Sequence, residues 1–146
     1  MKPLRIILEF AGKNWGAFSP QVDGVIATGQ THSECLDEYL SALRSHLGWI
    51  VEDGDPVPPI DLGRVIVFTA VYSRDLGRLR KSLGASQGTV AERLGLPQSR
   101  ISELEREPGS VSFERMQRYL AVLADLGDMP VPPSVSLVED DSAASA

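Results

Sequence analysis

The chain has 146 residues, of which 42% are hydrophobic and 23% are charged, and its formal net charge is -6. These values are typical of a globular protein, and the single cysteine, Cys35, excludes an internal disulfide and a multi-cysteine zinc site. No apolar run approaches the roughly 20 residues of a membrane-spanning helix, and the first residues lack a signal-peptide core. We therefore expect a cytoplasmic protein.

Charge is distributed unevenly along the chain. Residues 1–73 carry 5 basic and 9 acidic side chains. Residues 74–127 carry 9 basic and 7 acidic side chains, and residues 128–146 carry no basic and 4 acidic side chains. Only the middle segment is electropositive. This asymmetry predicts two modules followed by an acidic tail.

The first module has the pattern of a small sheet. Alternating apolar residues predict a strand over residues 4–10, and turn signals separate it from strands predicted over residues 15–19 and 25–28. A proline-rich connector over residues 53–59 precedes a fourth strand predicted over residues 64–72.

One helix is predicted between the third and fourth strands. Thr31 and Glu34 have the spacing of a capping box, which marks the start of the helix. The apolar residues that follow have helical spacing and are expected to form its buried stripe: Leu36, Leu40, Leu43, Leu47 and Ile50. A helix that covers one face of an antiparallel sheet is an α+β arrangement.

Three segments around this helix resemble the HicB antitoxin family. They are residues 15–20 (WGAFSP), 25–29 (VIATG) and 52–58 (EDGDPVP). The resemblance implies a truncated RNase H-like fold that binds HicA, a small basic toxin that cleaves RNA, and covers its active surface. The net negative charge of residues 1–73 is compatible with a basic partner.

Three residues of this module are candidate toxin contacts, namely Trp15, Phe18 and Asp23. Trp15 qualifies only if it is exposed, since a buried tryptophan is ordinary core packing.

The second module has the pattern of four short helices. They are predicted over residues 75–83, over residues 86–94 with Ser86 as the cap, over residues 97–106, and after Ser112. In the fourth helix, the apolar side chains at helical spacing are expected to face inward: Phe113, Met116, Leu120 and Leu123.

Residues 86–105 resemble the phage-repressor-like (XRE) helix-turn-helix, although Pro97 replaces the usual Ser or Thr cap of its third helix. The resemblance implies that this third helix enters the major groove of DNA. The candidate DNA-binding residues lie on this helix or at the start of the one before it: Gln87, Gln98, Ser99, Arg100 and Glu103.

Each candidate has chemistry suited to DNA. We expect Gln98, Ser99 and Glu103 to face the groove, where Gln pairs well with adenine, and Gln87 to contact a phosphate. Arg100 suits either a base or a phosphate. Glu103 either accepts from cytosine or pairs with an Arg one turn away. Lesser candidates for charge contacts with the DNA backbone are the basic residues of the first helix of this module: Arg78, Arg80 and Lys81.

The predicted fold class is therefore α+β, a small antiparallel sheet with one covering helix followed by an all-α helix-turn-helix domain. We place the HicB-like toxin-binding domain at residues 1–60, with its last strand at about 64–72. The DNA-binding domain occupies residues 74–127, and an acidic, disordered tail occupies residues 128–146.

The predicted function is an antitoxin that neutralises a HicA-like toxin by direct binding and represses its own operon, with no catalysis. The expected partners are the toxin, operator DNA, and further copies of the chain in a homodimer or dimer of dimers. The sequence predicts no cofactor, no metal site and no membrane partner.

Two rival classes of function stay open. One is a solitary helix-turn-helix regulator whose HicB-like domain dimerises or senses a ligand. The other is a metal-dependent nuclease that would use Asp23, Asp37 and Asp61, although their spacing gives this no support.

Overall fold

The computed structural model describes residues 1–136 and divides into two compact units after Thr69. None of the helices in this described part of the chain is long and apolar enough to cross a membrane. The boundary lies inside the fourth strand, so the end of that strand belongs to the second unit. The disorder expected for residues 137–146 lies outside the described residues.

The first unit is a sheet with one long helix. Its strands are β1 (Lys2–Phe10), β2 (Trp15–Ser19), β3 (Val22–Gly29) and β4 (Ile60–Tyr72), and they lie in the order β3-β2-β1-β4. The helix α1 (His32–Asp53) connects β3 to β4. The α+β architecture predicted from the sequence is confirmed.

The first three strands pair antiparallel, as predicted. β1 and β2 are joined in register at Ile7 opposite Phe18 and at Leu8 opposite Ala17. Leu8 and its apolar neighbours at alternate positions of β1 are buried, which confirms the inward face predicted for this strand. β3 begins three residues earlier than predicted, because Val22 pairs with Ser19 after a shift of register.

Helix α1 begins where the capping pattern predicts. The Thr31 hydroxyl accepts a hydrogen bond from the Glu34 backbone N–H at 3.1 Å. The helix ends at Gly54, whose φ of 74° is left-handed and suits glycine.

The face that α1 buries differs from the predicted leucine stripe. The buried residues of α1 are His32, Cys35, Tyr39 and Leu43, so only Leu43 belongs to both sets. The rest of the predicted stripe is half-buried. The reason is the close approach of α1 to β3: a Cβ atom on Gly29 would lie 2.6 Å from the Cys35 nitrogen. Cys35 faces the sheet at this point, with its Sγ 3.8 Å from the carbonyl oxygen of Ala27 on β3.

The second unit contains four helices. They are α2 (Leu76–Ser82), α3 (Gln87–Leu94), α4 (Gln98–Arg106) and α5 (Phe113–Leu126), with 3-10 turns at Ser73–Asp75 and Pro108–Ser110. All four helices predicted from the sequence are present.

The prediction for Phe113 is wrong. Met116, Leu120 and Leu123 are buried as expected, but Phe113 is 80% exposed. Ser112 caps α5, so Phe113 is the first residue of the helix, where it lines an open depression with Val111.

The described part of the tail, where disorder is expected from residue 128 on, contains a strand. Residues Ser134–Ser136 form β5, which pairs in parallel with the last three residues of β4, with Ala70 opposite Ser134. The strands therefore include a parallel pair as well as antiparallel ones, and the sheet is mixed.

Candidate DNA-binding surface

A tight turn sets α4 against α3. Ser86 caps α3 by accepting from the Thr89 N–H at 3.0 Å, and Gly95 ends it with a left-handed φ of 67°. Ile101 and Leu104 of α4 are fully buried. Because these two residues anchor one face of α4, its opposite face is presented to solvent.

The exposed end of α4 carries three of the candidate residues. Gln98, Ser99 and Arg100 form its first turn, and all three side chains are exposed. Pro97 precedes them and supplies no capping side chain, in contrast to Ser86. No side-chain oxygen therefore competes with an incoming phosphate or base for the first N–H groups of α4.

A buried polar network lies behind this surface, centred on Glu105. Arg80 donates to both carboxylate oxygens of Glu105, from Nε at 2.7 Å and from Nη2 at 3.0 Å. Tyr119 donates its hydroxyl at 2.5 Å, and Gln87 donates from Nε2 at 3.1 Å. Arg80 also donates to the Ala85 carbonyl at 2.8 Å. The network thus joins α2, α3, α4 and α5.

The charges in this network stabilise one another. Burial raises the pKa of Glu105, but hydrogen bonds from Arg80, Tyr119 and Gln87 outweigh that effect and lower it below its usual value. The bond to Glu105 raises the pKa of Arg80, against the opposing effect of burial. Burial is the main cause that raises the pKa of Tyr119, and the hydrogen bond to Glu105 raises it further. Glu105 is therefore an ionised carboxylate inside the helical unit.

The network reaches the exposed surface through two glutamines. Gln98 Nε2 donates to Gln87 Oε1 at 3.5 Å, and Gln87 in turn donates to Glu105. Gln98, predicted to meet a base, is therefore beside Gln87, predicted to meet a phosphate. The structure brings these two candidates together.

Arg80, a lesser candidate for a contact with the DNA backbone, is placed away from the surface. Its side chain is buried against Glu105, and the residue is 5% exposed. The sequence reasoning also missed Glu105 as the centre of the network. One signal was available, since Arg80 follows Leu76 by four residues and so lies on the apolar face of α2.

The other charged candidates are on the surface. Arg100 donates to Glu103 at 3.2 Å, so of the two alternatives for Glu103 the Arg pairing is present in this DNA-free state. Arg78 is exposed and donates to Asp75 at 3.2 Å, and Lys81 is exposed.

The candidate toxin contacts have different positions in the first unit. Trp15 is 2% exposed and packs on Phe10 and on His32, with ring centroids 5.3 and 5.2 Å away. It points inward because Trp15 and Ala17 share the buried face of β2, so its prediction as a surface contact is corrected. Phe18 and Asp23 are exposed.

The proposed carboxylate trio is not assembled. Within residues 1–136, no group of three His, Cys, Asp or Glu side chains is placed to hold a metal ion. Asp61 instead accepts from the Gly63 N–H and from Arg64 Nε, each at 2.9 Å. Both hydrogen bonds lower the pKa of Asp61, and the bond from the Gly63 N–H has the larger effect.

Comparison with known families identifies the helical unit. Residues 76–124, about a third of the chain, match the family described as Helix-turn-helix, and the match runs from α2 into α5. No curated protein matches the chain. The second unit is therefore a helix-turn-helix domain, and this class of domain marks the protein as a sequence-specific DNA-binding transcriptional regulator.

Proposed function

We propose that the chain represses its own operon and is the antitoxin of a HicA/HicB-type pair. In this proposal the second unit reads operator DNA, and the first unit neutralises a small RNA-cleaving toxin by binding it. The observation that carries the DNA-binding half is the exposed first turn of α4, where Gln98 is held beside Gln87. The proposed function needs no catalysis by this chain.

The chemistry of this turn suits base recognition. Gln98 can pair with adenine through both amide atoms, and Arg100 can pair with guanine in the same two-bonded manner. Gln87 is fixed by Glu105 at the start of α3, where its free amide hydrogen and the helix N-terminus favour a phosphate. Direct contacts of this kind need no further group from the first unit.

The toxin-binding half is supported by sequence features and surface chemistry. The resemblance of residues 15–20, 25–29 and 52–58 to HicB antitoxins suggests the partner. Phe18 and Asp23 are exposed on neighbouring strands and offer an apolar and an acidic contact. The acidic balance of residues 1–73 favours association with a basic protein.

The DNA-binding half is tested by immunoprecipitation of chromatin from cells that express the tagged full chain. Enrichment of the promoter of its own operon is expected. The matched control is the double variant Gln98→Ala and Arg100→Ala, which should lose that enrichment while folding normally. Enrichment that is equal for both proteins would overturn the assignment of α4.

The toxin-binding half is tested by gentle purification of the full chain from its native cell, with mass spectrometry of bound proteins. A small basic protein in fixed ratio is expected. The variant Asp23→Lys should release it, whereas Lys13→Glu, a charge change in the turn between β1 and β2, is the control. Recovery of promoter DNA with no such protein would contradict the antitoxin role.

That outcome would favour a second candidate, a solitary regulator whose first unit dimerises. One observation supports this candidate: apolar side chains of β4, among them Ile66 and Phe68, are exposed to solvent. The two functions differ in the partner protein and share the DNA-binding surface.

A further inference from the structure

Among the strands of residues 1–136, none covers one edge of β4 along most of its length. In the strand order, β1 lies on one side of β4 and β5 on the other, but β5 pairs only with residues Ala70, Val71 and Tyr72. Within residues 1–136, the edge from Ile60 to Thr69 therefore has backbone groups without a strand partner. Such an edge is a template for a further strand.

The residues just before β5 are poorly suited to extend its pairing along this edge. The β4–β5 pair is parallel, with Ala70 opposite Ser134 and Tyr72 opposite Ser136. The residues before Ser134 include Pro130, Pro132 and Pro133, which cannot donate to a ladder.

The side chains along this edge are unusually apolar for a solvated strand. Leu62, Ile66 and Phe68 alternate on one face of β4 and are 45%, 45% and 51% exposed. Val65 is on the opposite face and is 39% exposed. Both faces of the strand therefore present apolar surface beside the open edge.

The opposite edge of the sheet differs. β3 has a strictly alternating pattern at its end, in which Val25 and Ala27 are buried and Ile26 is exposed. One face of β3 is thus covered by the fold itself. Native sheets usually protect an edge with charges, yet β4 carries one cation in this stretch, Arg64, which is already paired with Asp61 at 2.9 Å.

We propose that this edge binds the same edge of a second copy of the chain. Two β4 strands would run antiparallel across a two-fold axis at Val65 and join the two sheets. The inference extends the proposed function, since a dimeric DNA reader requires a two-fold interface, but it does not depend on the identity of the operator or of a toxin.

The charges select this register. With a two-fold axis perpendicular to the sheet, a residue on the axis faces itself and its neighbours pair symmetrically. An axis at Arg64 would place two like charges directly opposite. An axis at Val65 pairs Val65 with itself, Leu62 with Phe68, and Arg64 with Ile66, so most of the cross-strand pairs are apolar.

The register is tested by a disulfide in the full chain, without DNA or partner protein. Directly opposite residues of antiparallel strands have Cα atoms roughly 4.5–5.5 Å apart, which is within the span of a disulfide. Under mild oxidation, Val65→Cys should form a covalent dimer. Cys35 does not compete, because it is fully buried and its pKa is raised to about 11 by burial and then by Glu34.

The matched control is Ile26→Cys, which places an exposed cysteine on the other edge strand. It should stay largely uncrosslinked. A second measurement uses the unmodified chain: amide hydrogen exchange of residues 62–68 should slow as protein concentration rises. Equal crosslinking of both variants, together with exchange independent of concentration, would overturn the proposal.

Two further outcomes separate this inference from its competitors. Protection of residues 62–68 that appears only on addition of a co-purified protein would assign the edge to that partner and overturn the second-copy assignment. If the full chain does not bind its promoter while Val65→Cys still forms the crosslinked dimer, the proposed function is contradicted and the β4 interface remains supported.

Discussion

In the proposed function, base recognition depends on Gln98, an exposed residue that is linked to the buried network through Gln87. We expect Gln98→Ala to weaken binding to the enriched promoter by about 1–3 kcal/mol and to relax the preference at one base pair, because one direct base contact is lost. Fluorescence anisotropy with single-base variants of the DNA measures both effects. The control is Gln117→Ala, an exposed glutamine on α5. Equal losses for the two variants would refute the groove assignment.

The ion pair of Arg80 and Glu105 is the strongest stability determinant we assign in the helical unit. Glu105→Gln should lower the free energy of unfolding by about 3–5 kcal/mol, because it leaves the buried Arg80 charge uncompensated. Urea unfolding measures this. Glu103→Gln is the matched control on the same helix. Its partner Arg100 is exposed, so less than about 1 kcal/mol is expected. Similar losses would show that the buried network is not decisive.

His32 makes the stability of the first unit depend on pH. It is buried, its Nε2 lies 2.8 Å from Thr69 Oγ1, and burial lowers its pKa below the ordinary 6.5. The unfolded chain therefore takes up a proton more readily than the folded one as pH falls below 6.5. The stability associated with neutral His32 is present above that pH and is lost below it.

The variant His32→Gln should flatten this dependence. Unfolding free energies measured by urea between roughly pH 5 and 7 should fall less steeply with acid than in the unmodified chain. An unchanged slope in His32→Gln would mean that another group titrates.

At the scale of elements, local signals decide where helices begin. Thr31→Ala should cost about 1 kcal/mol of folding stability, because the Glu34 N–H loses its acceptor at the start of α1. Ser33→Ala is the control in the same turn, where the exposed side chain is not the cap. Thermal unfolding of the two variants compares them, and equal transition temperatures would remove the capping role.

Such local signals explain how much of the fold is predictable from the sequence. Caps such as Thr31 and Ser86 mark the helices, and alternation marks β1, because each depends on neighbours in the chain. The orientation of α1 was not predictable in the same way. It depends on the approach of Gly29 to Cys35, and the pairing of β5 depends on residues more than 60 positions away.

The candidate DNA-binding surface also combines features set by local sequence with features set by distant contacts. The exposed residues of α4 follow a spacing that the sequence shows directly, so Gln98, Ser99 and Arg100 were located correctly on the surface. The buried network was missed because Arg80 and Glu105 meet only when α2 and α4 pack, and their charge resembles that of a solvated helix face.

For the whole molecule, the proposed function places two binding units on one chain and so predicts linkage between their partners. If toxin and DNA are bound by one assembly, saturating partner protein should change operator affinity, and operator DNA should change partner affinity by the same factor. Titrations of each ligand in the presence and absence of the other measure both factors. Equal operator affinity with and without the partner would remove the linkage and leave the two binding activities independent.

The most direct test of the central claim is selection of preferred sites from random duplex DNA by the full chain. The account predicts one enriched two-fold sequence whose half-sites lie about 10–10.5 base pairs apart, or a multiple of that spacing, with a defined base opposite Gln98. Recovery of DNA without any enriched sequence would contradict it, because α4 would then not read bases.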